Sequence, residues 1–250
     1  MAVDKEKLAD MMNESEHVRP SATLVPMLML EGNEGYFTRR NVGDEGYDKP
    51  VNIGQTFSGV IVGVRMSLSQ YEKKFNRSTP EYSKSTDKTV LFERKGKGAP
   101  AEKIAEGYPN GLKAKYPELR EQRWLYMLVG GEIVKFKLKG AGMTHWFKFL
   151  KELAKKKLHT FQVEVKLDPA SERNEELGKD YYAPAFTIAK ELTDDEIEAR
   201  IQPHIEKLSE EFAAIAAYRT QRDAEAAAPE DVPAVQLDED EVEGEPSLDD

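Results

Sequence analysis

The run WLYMLVGGEIVKFKLK, residues 124–139, constrains this chain more than any other stretch. Two alternating segments flank Gly130 and Gly131, the composition of a two-residue hairpin turn. With the turn there, Val129 faces Glu132 and every later pair is fixed, because strand side chains alternate with period two. Leu125 then pairs with Phe136 and Met127 with Val134, giving an apolar face that Leu138 extends. Trp124 pairs with Lys137 and Tyr126 with Lys135 on the opposite face, with Lys139 one step further on. One side of this hairpin suits a core; the other is aromatic and basic.

The same period finds further strands on both sides. Phe57 to Leu68 places Val60, Val62, Val64, Met66 and Leu68 on one face and Gly59, Gly63 and Arg65 on the other. Two glycines on one face signal a bend or a close approach. Thr160 to Leu167 points Phe161, Val163, Val165 and Leu167 inward, and Tyr181 to Ala189 forms a last strand. Between the hairpin and these strands, Thr144 to Leu158 carries Trp146, Phe149, Leu150 and Leu153 at helical spacing. The triplet Lys155 to Lys157 ends that helix, where cations complement its dipole. Thr23 to Leu30 is extended but contains Pro26, which suits an edge strand, and the glycines from 32 to 54 mark a turn-rich segment. Ser69 to Glu121 reads as a long polar connection holding one short strand at Thr89 to Phe92, and Asp168 to Asp180 as a polar loop.

Thr193, Asp194, Asp195 and Glu196 form a capping box that starts a C-terminal helix. Ile197, Ile201, Ile205, Leu208, Phe212 and Ile215 make its stripe, and Pro203 kinks or restarts it. The chain divides into a polar lead (1–20), a folded body (21–192), this helix (193–228) and an acidic tail (229–250) with too little apolar content to fold.

Charge is split between the parts. Beyond Arg222 the sequence holds twelve acidic residues and no Lys or Arg, whereas Phe57 to Lys166 holds 23 basic against 11 acidic residues, a net of +12. The overall −10 conceals a basic body joined to an acidic tail, a design for reversible polyanion binding. The absence of cysteine excludes disulfides and thiolate metal sites. No apolar run reaches the roughly 18 residues that span a bilayer, and the leading MAVDKE is charged where a signal peptide is apolar. These features place the protein in the cytoplasm, that of the host cell if it is viral, and away from membranes.

In order, the body runs strand, long connection, strand, strand, helix, strand, loop, strand. That is the order of an OB-fold, and with the acidic tail it resembles the single-stranded DNA-binding proteins of bacteriophages and bacteria. The resemblance covers residues 55–190 as topology and the tail as composition. It implies a mainly β protein with helices (α+β), built on a five-stranded Greek-key barrel with a long insertion between strands 1 and 2 and a C-terminal helix. It implies oligonucleotide binding on the strand 2–3 face and on the loops joining strands 1–2 and 4–5. It also implies protection of single-stranded DNA in replication, recombination or repair, with no cofactor or metal. Partners in replication or recombination would be recruited by the tail. Family tails often close on an aromatic residue; this one ends Glu245 to Asp250 without one, which removes that docking element but not electrostatic competition.

Single strands need cations for phosphates and flat rings for unstacked bases. Trp124 and Tyr126 with Lys135, Lys137 and Lys139 offer both, beside Arg65. The connection adds Tyr71, Lys73, Lys74, Phe75, Arg77, Tyr82 and Lys84, then Arg94 and Lys95, then Lys113 and Lys115. The competing reading covers Trp124 and Tyr126 with the N-terminal segment or the C-terminal helix. That helix docks on the body, and its length leaves room for a homodimer.

The catalytic inventory is thin. Four scattered histidines lack metal-ligand spacing, and neither a phosphate-binding loop nor a nucleophile elbow occurs. One enzymatic alternative rests on Glu164 and Lys166, two apart on one strand face, as in the carboxylate–lysine half of a metal-dependent nuclease. A non-enzymatic phage structural or assembly protein is the other alternative, distinguished by having no salt-sensitive DNA affinity.

Overall fold

The computed structural model describes residues 25–209, apart from 44–45, 97–98, 176–177 and 206–207. The polar lead, the end of the C-terminal helix with Phe212 and Ile215, and the acidic tail lie outside the described residues. The protein is mainly β with a few helices, an α+β arrangement.

The N-terminal strands are β1 (Met27–Glu31), β2 (Tyr36–Arg40), the small hairpin of β3 (Val42–Gly43) and β4 (Gly46–Tyr47), and β5 (Val51–Gly54). The long β6 (Phe57–Tyr71) is followed by β7 (Asn76–Ser78), β8 (Thr89–Arg94), β9 (Ala101–Gly107) and helix α1 (Pro109–Lys115). The hairpin follows as β10 (Arg120–Val129) and β11 (Glu132–Leu138), then α2 (Ala141–Lys156), β12 (Val163–Asn174), β13 (Lys179–Glu191) and α3 (Asp194–Arg200).

The hairpin holds the predicted register throughout, from Val129 opposite Glu132 to Trp124 opposite Lys137. Gly130 and Gly131 have φ of +59° and +83°, the left-handed pair that a two-residue hairpin turn requires. β6 pairs antiparallel with β10 along most of its length and with β12 at its start, and β12 pairs with β13. The resulting sheet is open and has eleven strands, in place of the expected closed barrel of five. The cause is at the free edge of β11, which β1 occupies as a parallel partner. β13 reaches this N-terminal unit through one backbone bond, Tyr182 N–H to Gly32 O, 2.6 Å. Thus β1 is an interior strand, not an edge. Pro26 precedes it and contributes only its carbonyl, which accepts from Lys135 N–H at 2.8 Å, so the missing proline N–H is not needed.

Three clusters fill the molecule. The central one packs Leu125, Met127, Val134 and Phe136 of the hairpin against Val163, Val165 and Leu167, with Trp146, Phe149 and Leu153 of α2 at its end. A second gathers Val60, Val62, Tyr126 and Leu128 beneath Ile197, Ile201, Ile205 and Leu208. β6 is therefore covered on both faces at its start. The single alternating face expected for Val60 to Leu68 is broken by a register shift, where Tyr126 faces Gly63 but Met127 faces Ile61. Backbone helix ends at Arg200 and resumes at Gln202, so Pro203 marks a restart. The described part of the helix stripe is spent on the protein's own sheet, which leaves those residues out of any homodimer contact.

The third cluster corrects the long polar connection. Leu68, Tyr82, Leu91, Leu112 and Leu119 form a core beneath β7, β8 and β9, which extend the sheet beyond β6 as an arm. The Asp168 to Asp180 loop is likewise mostly strand: β12 and β13 stay paired from Val163–Glu191 out to Asn174–Lys179.

Candidate nucleic-acid interface

Register sets the chemistry of the face opposite the central core. One cross-strand row places Arg65 beside Trp124 and Trp124 beside Lys137; the next places Gly63, Tyr126 and Lys135 side by side. Gln122 sits opposite Ser67, one row further along. The segment after β7 folds back over this face. Thr79 N–H donates to Leu68 O, Leu68 N–H to Thr79 Oγ1, each at 2.9 Å, and Met66 and Tyr82 exchange backbone bonds. A groove of about 390 Å³ lies between that segment and the hairpin, lined among others by Tyr71, Glu81, Trp124, Lys135, Lys137 and Lys139.

Glu81 is the one acidic residue in the lining, and it is buried. Its carboxylate accepts from the Tyr126 hydroxyl at 2.8 Å and from the Lys135 ammonium on its other oxygen. The Lys135 ammonium also lies 4.2 Å from the centroid of the Trp124 ring, and that of Lys137 lies 4.9 Å from it. The indole N–H donates to Ser67 Oγ at 2.9 Å, which fixes the ring. Burial, then repulsion from Lys139 and Lys135, pulls the Lys137 pKa down to about 8. A desolvated, crowded ammonium gains most from an incoming anion.

The other expected residues divide by exposure. Tyr126, at 5% exposure, belongs to the cluster under the C-terminal helix, so the covered reading holds for it and it offers no face to a base. Trp124 is half-buried against the same cluster. Arg65 and Tyr82 are both 1% exposed. Arg65 donates to the Ser83 hydroxyl, burial lowers its pKa, and the Tyr82 phenol is raised by burial within the arm core. Direct contact by these three buried residues is thus corrected to support of the groove wall.

Lys73, Lys74, Lys84, Arg94, Lys95, Lys113 and Lys115 are exposed on the arm and α1, outside the groove lining. Arg77 is committed internally: it meets Glu93 at 2.8 Å and Gln70 at 3.2 Å, and its guanidinium lies 4.4 Å from the Phe75 ring and 5.1 Å from that of Tyr116. Phe75 is half-buried by that contact. Of the enzymatic pair, Glu164 meets Arg200 at 3.8 Å and Lys166 meets Asp168 at 2.9 Å.

Sequence reasoning missed Glu81 and Met27. Glu81 looked like one more charge in a polar stretch, and only the folding-back of the arm brings it to Lys135. Met27 enters the lining because β1 lies beside β11.

Comparisons with protein-family models, with curated proteins and with solved structures find no match. Among the described residues, no helix is long and apolar enough to cross a membrane.

Proposed function

We propose that this protein binds single-stranded DNA without strong sequence preference and protects it during replication, recombination or repair. The observation that carries this reading is the groove itself. Lys135 and Lys137 alternate on one face of β11, and Lys139, just past its end, lines the same groove, beside Trp124 and a face of small polar side chains. Such a surface suits phosphates repeated along a flexible chain.

The pairing pattern supports an OB-like core within the larger sheet. β6, β10, β11, β12 and β13 take the places of barrel strands one to five, with the pairs β6–β10, β10–β11, β6–β12 and β12–β13. α2 falls between the third and fourth, and the groove lies on the strand 2–3 face that such folds use for oligonucleotides. In this reading the protein is no enzyme and needs no cofactor. It acts in the cytoplasm, and the acidic tail competes for the groove or recruits replication and recombination proteins.

The test is a salt titration of binding to fluorescent oligo-dT beside duplex of equal length, with Mg²⁺ present and product lengths checked. Expected is preference for the single strand, with log K falling by about 0.7 per phosphate neutralised for each decade of salt, and intact DNA. Shortened DNA would promote Glu164 and Lys166, and absence of binding would leave the assembly reading. Deleting residues 229–250 should tighten binding at low salt; an unchanged affinity removes the competition model.

A further inference from the structure

The groove separates two roles that a single aromatic residue is often given. Trp124 does not present a free ring: two ammonium groups stand over it at 4.2 and 4.9 Å. Its edge is tied to Ser67, and the half-buried ring packs against the cluster beneath the C-terminal helix. A base stacking there would displace the cations that its own phosphates require. Tyr126 is buried and cannot serve instead.

Tyr71 has the opposite character. It is 84% exposed, lines the same groove, and its side chain has no hydrogen-bond or ring partner among the described residues. Its place follows from register. β6 and β11 both pair antiparallel with β10, so they run in the same direction. Lys135 and Lys137 lie about 6.7 Å apart along β11, Lys139 follows directly after the strand, and Ser67, Ser69 and Tyr71 continue the same way along β6. Tyr71 therefore stands about 13 Å beyond Ser67, past the lysine row and not on top of it. A large exposed ring at the end of a cationic row is well placed to take a base.

We propose that Tyr71 is the base-stacking residue of this groove, and that Trp124 is a positioning residue whose ring holds Lys137 toward the phosphates while Lys135 stays paired with Glu81. The inference rests on the single-strand reading of the groove given above. It assigns bases to the β6 end and phosphates to the β11 side.

Binding of the full chain to fluorescein-labelled oligo-dT, and to a base-free deoxyribose-phosphate strand of equal length, separates the roles. Tyr71→Ala should weaken oligo-dT binding roughly 5- to 150-fold, the range for one lost base–aromatic stack, and leave the base-free strand unchanged. Trp124→Leu should weaken both strands and flatten the salt dependence, whereas Trp124→Phe, which keeps a cation-facing ring, should restore both. Tyr71→Ala binding both strands like the unsubstituted protein overturns the assignment, as does Trp124→Leu losing affinity for oligo-dT alone. Because Tyr71 is exposed, its variant reports even if Trp124→Leu does not fold. Failure of the unsubstituted protein to bind either strand overturns the single-strand reading and this assignment together; oligo-dT binding indifferent to Tyr71 overturns this assignment alone.

Discussion

The Tyr126 hydroxyl donates to the Glu81 carboxylate across 2.8 Å, joining the β10 strand to the segment that folds over it. Lys135 takes the other carboxylate oxygen, with only 14% of its side chain exposed and 5% of that of Glu81. Removing one member of such a buried pair strands the other charge, at a cost of about 3–5 kcal/mol. Glu81→Leu alone should therefore lower the stability measured by urea unfolding by that order. Glu81→Leu with Lys135→Met should recover most of the loss, because no uncompensated charge then remains. Equal stabilities of the single and double variants would mean that a stranded Lys135 ammonium costs nothing there, and would remove the buried-pair account.

Gly59 makes a different kind of contact. A Cβ at this position would come within 2.8 Å of Leu128 O and of a Val129 methyl. The methyl can rotate, but the carbonyl belongs to the neighbouring strand and cannot. Gly59→Ala should destabilise the protein by about 1–3 kcal/mol in thermal or urea unfolding. Gly63→Ala should cost less, since its nearest neighbour is a Leu208 methyl at 3.4 Å.

How far these relations can be read from sequence depends on whether burial is periodic. The hairpin is legible because Gly130-Gly131 fixes the register and each face has one kind of residue. The inward residues of β12 from Val163 to Leu167, the core residues of α2 and the capping box are legible for the same local reasons. The arm is not. Its strands β7 and β9 have no buried alternation, and its core draws single leucines from β6, β8, α1 and the stretch before β10. The outer end of the β12–β13 pair, Ser171 to Asn174 opposite Lys179 to Tyr182, is similarly hidden, because none of its residues is buried and most are polar. Arg65 shows a further limit. A basic residue beside Trp124 looks like a phosphate contact, yet the arm closes over it.

The capping box at Thr193 is open to a direct test. Thr193 Oγ1 accepts from Glu196 N–H at 3.3 Å, and Thr193 N–H donates to the Glu196 carboxylate at 3.0 Å. The Lys190 hydrogen bond, then that of the Thr193 backbone, holds the Glu196 carboxyl down at about 2, against 4.5. A depressed carboxyl stabilises the fold above its unfolded value and loses that contribution as pH falls from 4.5 through 2. Thr193→Ala should cost about 1 kcal/mol in unfolding at neutral pH. Its effect should be smaller at pH 2, because the Thr193 hydroxyl also donates to the Glu196 carboxylate at 3.3 Å and that bond weakens as the carboxylate takes up a proton.

Lys137 gives the groove a pH dependence of defined sign. Its folded pKa of about 8 lies below the ordinary 10.5, with burial the main cause and Lys139 and Lys135 adding to it. Between pH 8 and 10.5 the unfolded chain holds the proton more tightly than the folded one. This group therefore lowers stability below pH 8, and the penalty is relieved as pH rises through that window. Phosphate binding runs the other way, because the neutral amine formed above pH 8 gives no charge to a phosphate. Affinity for oligo-dT should fall as pH is raised from 7 to about 9.5, a range in which ordinary lysines stay protonated. Lys137→Arg should remove the fall, since a guanidinium keeps its charge throughout. Anisotropy titrations of both proteins at fixed ionic strength measure this directly. Parallel losses in the two would assign the pH dependence to another group and leave Lys137 outside the phosphate contact.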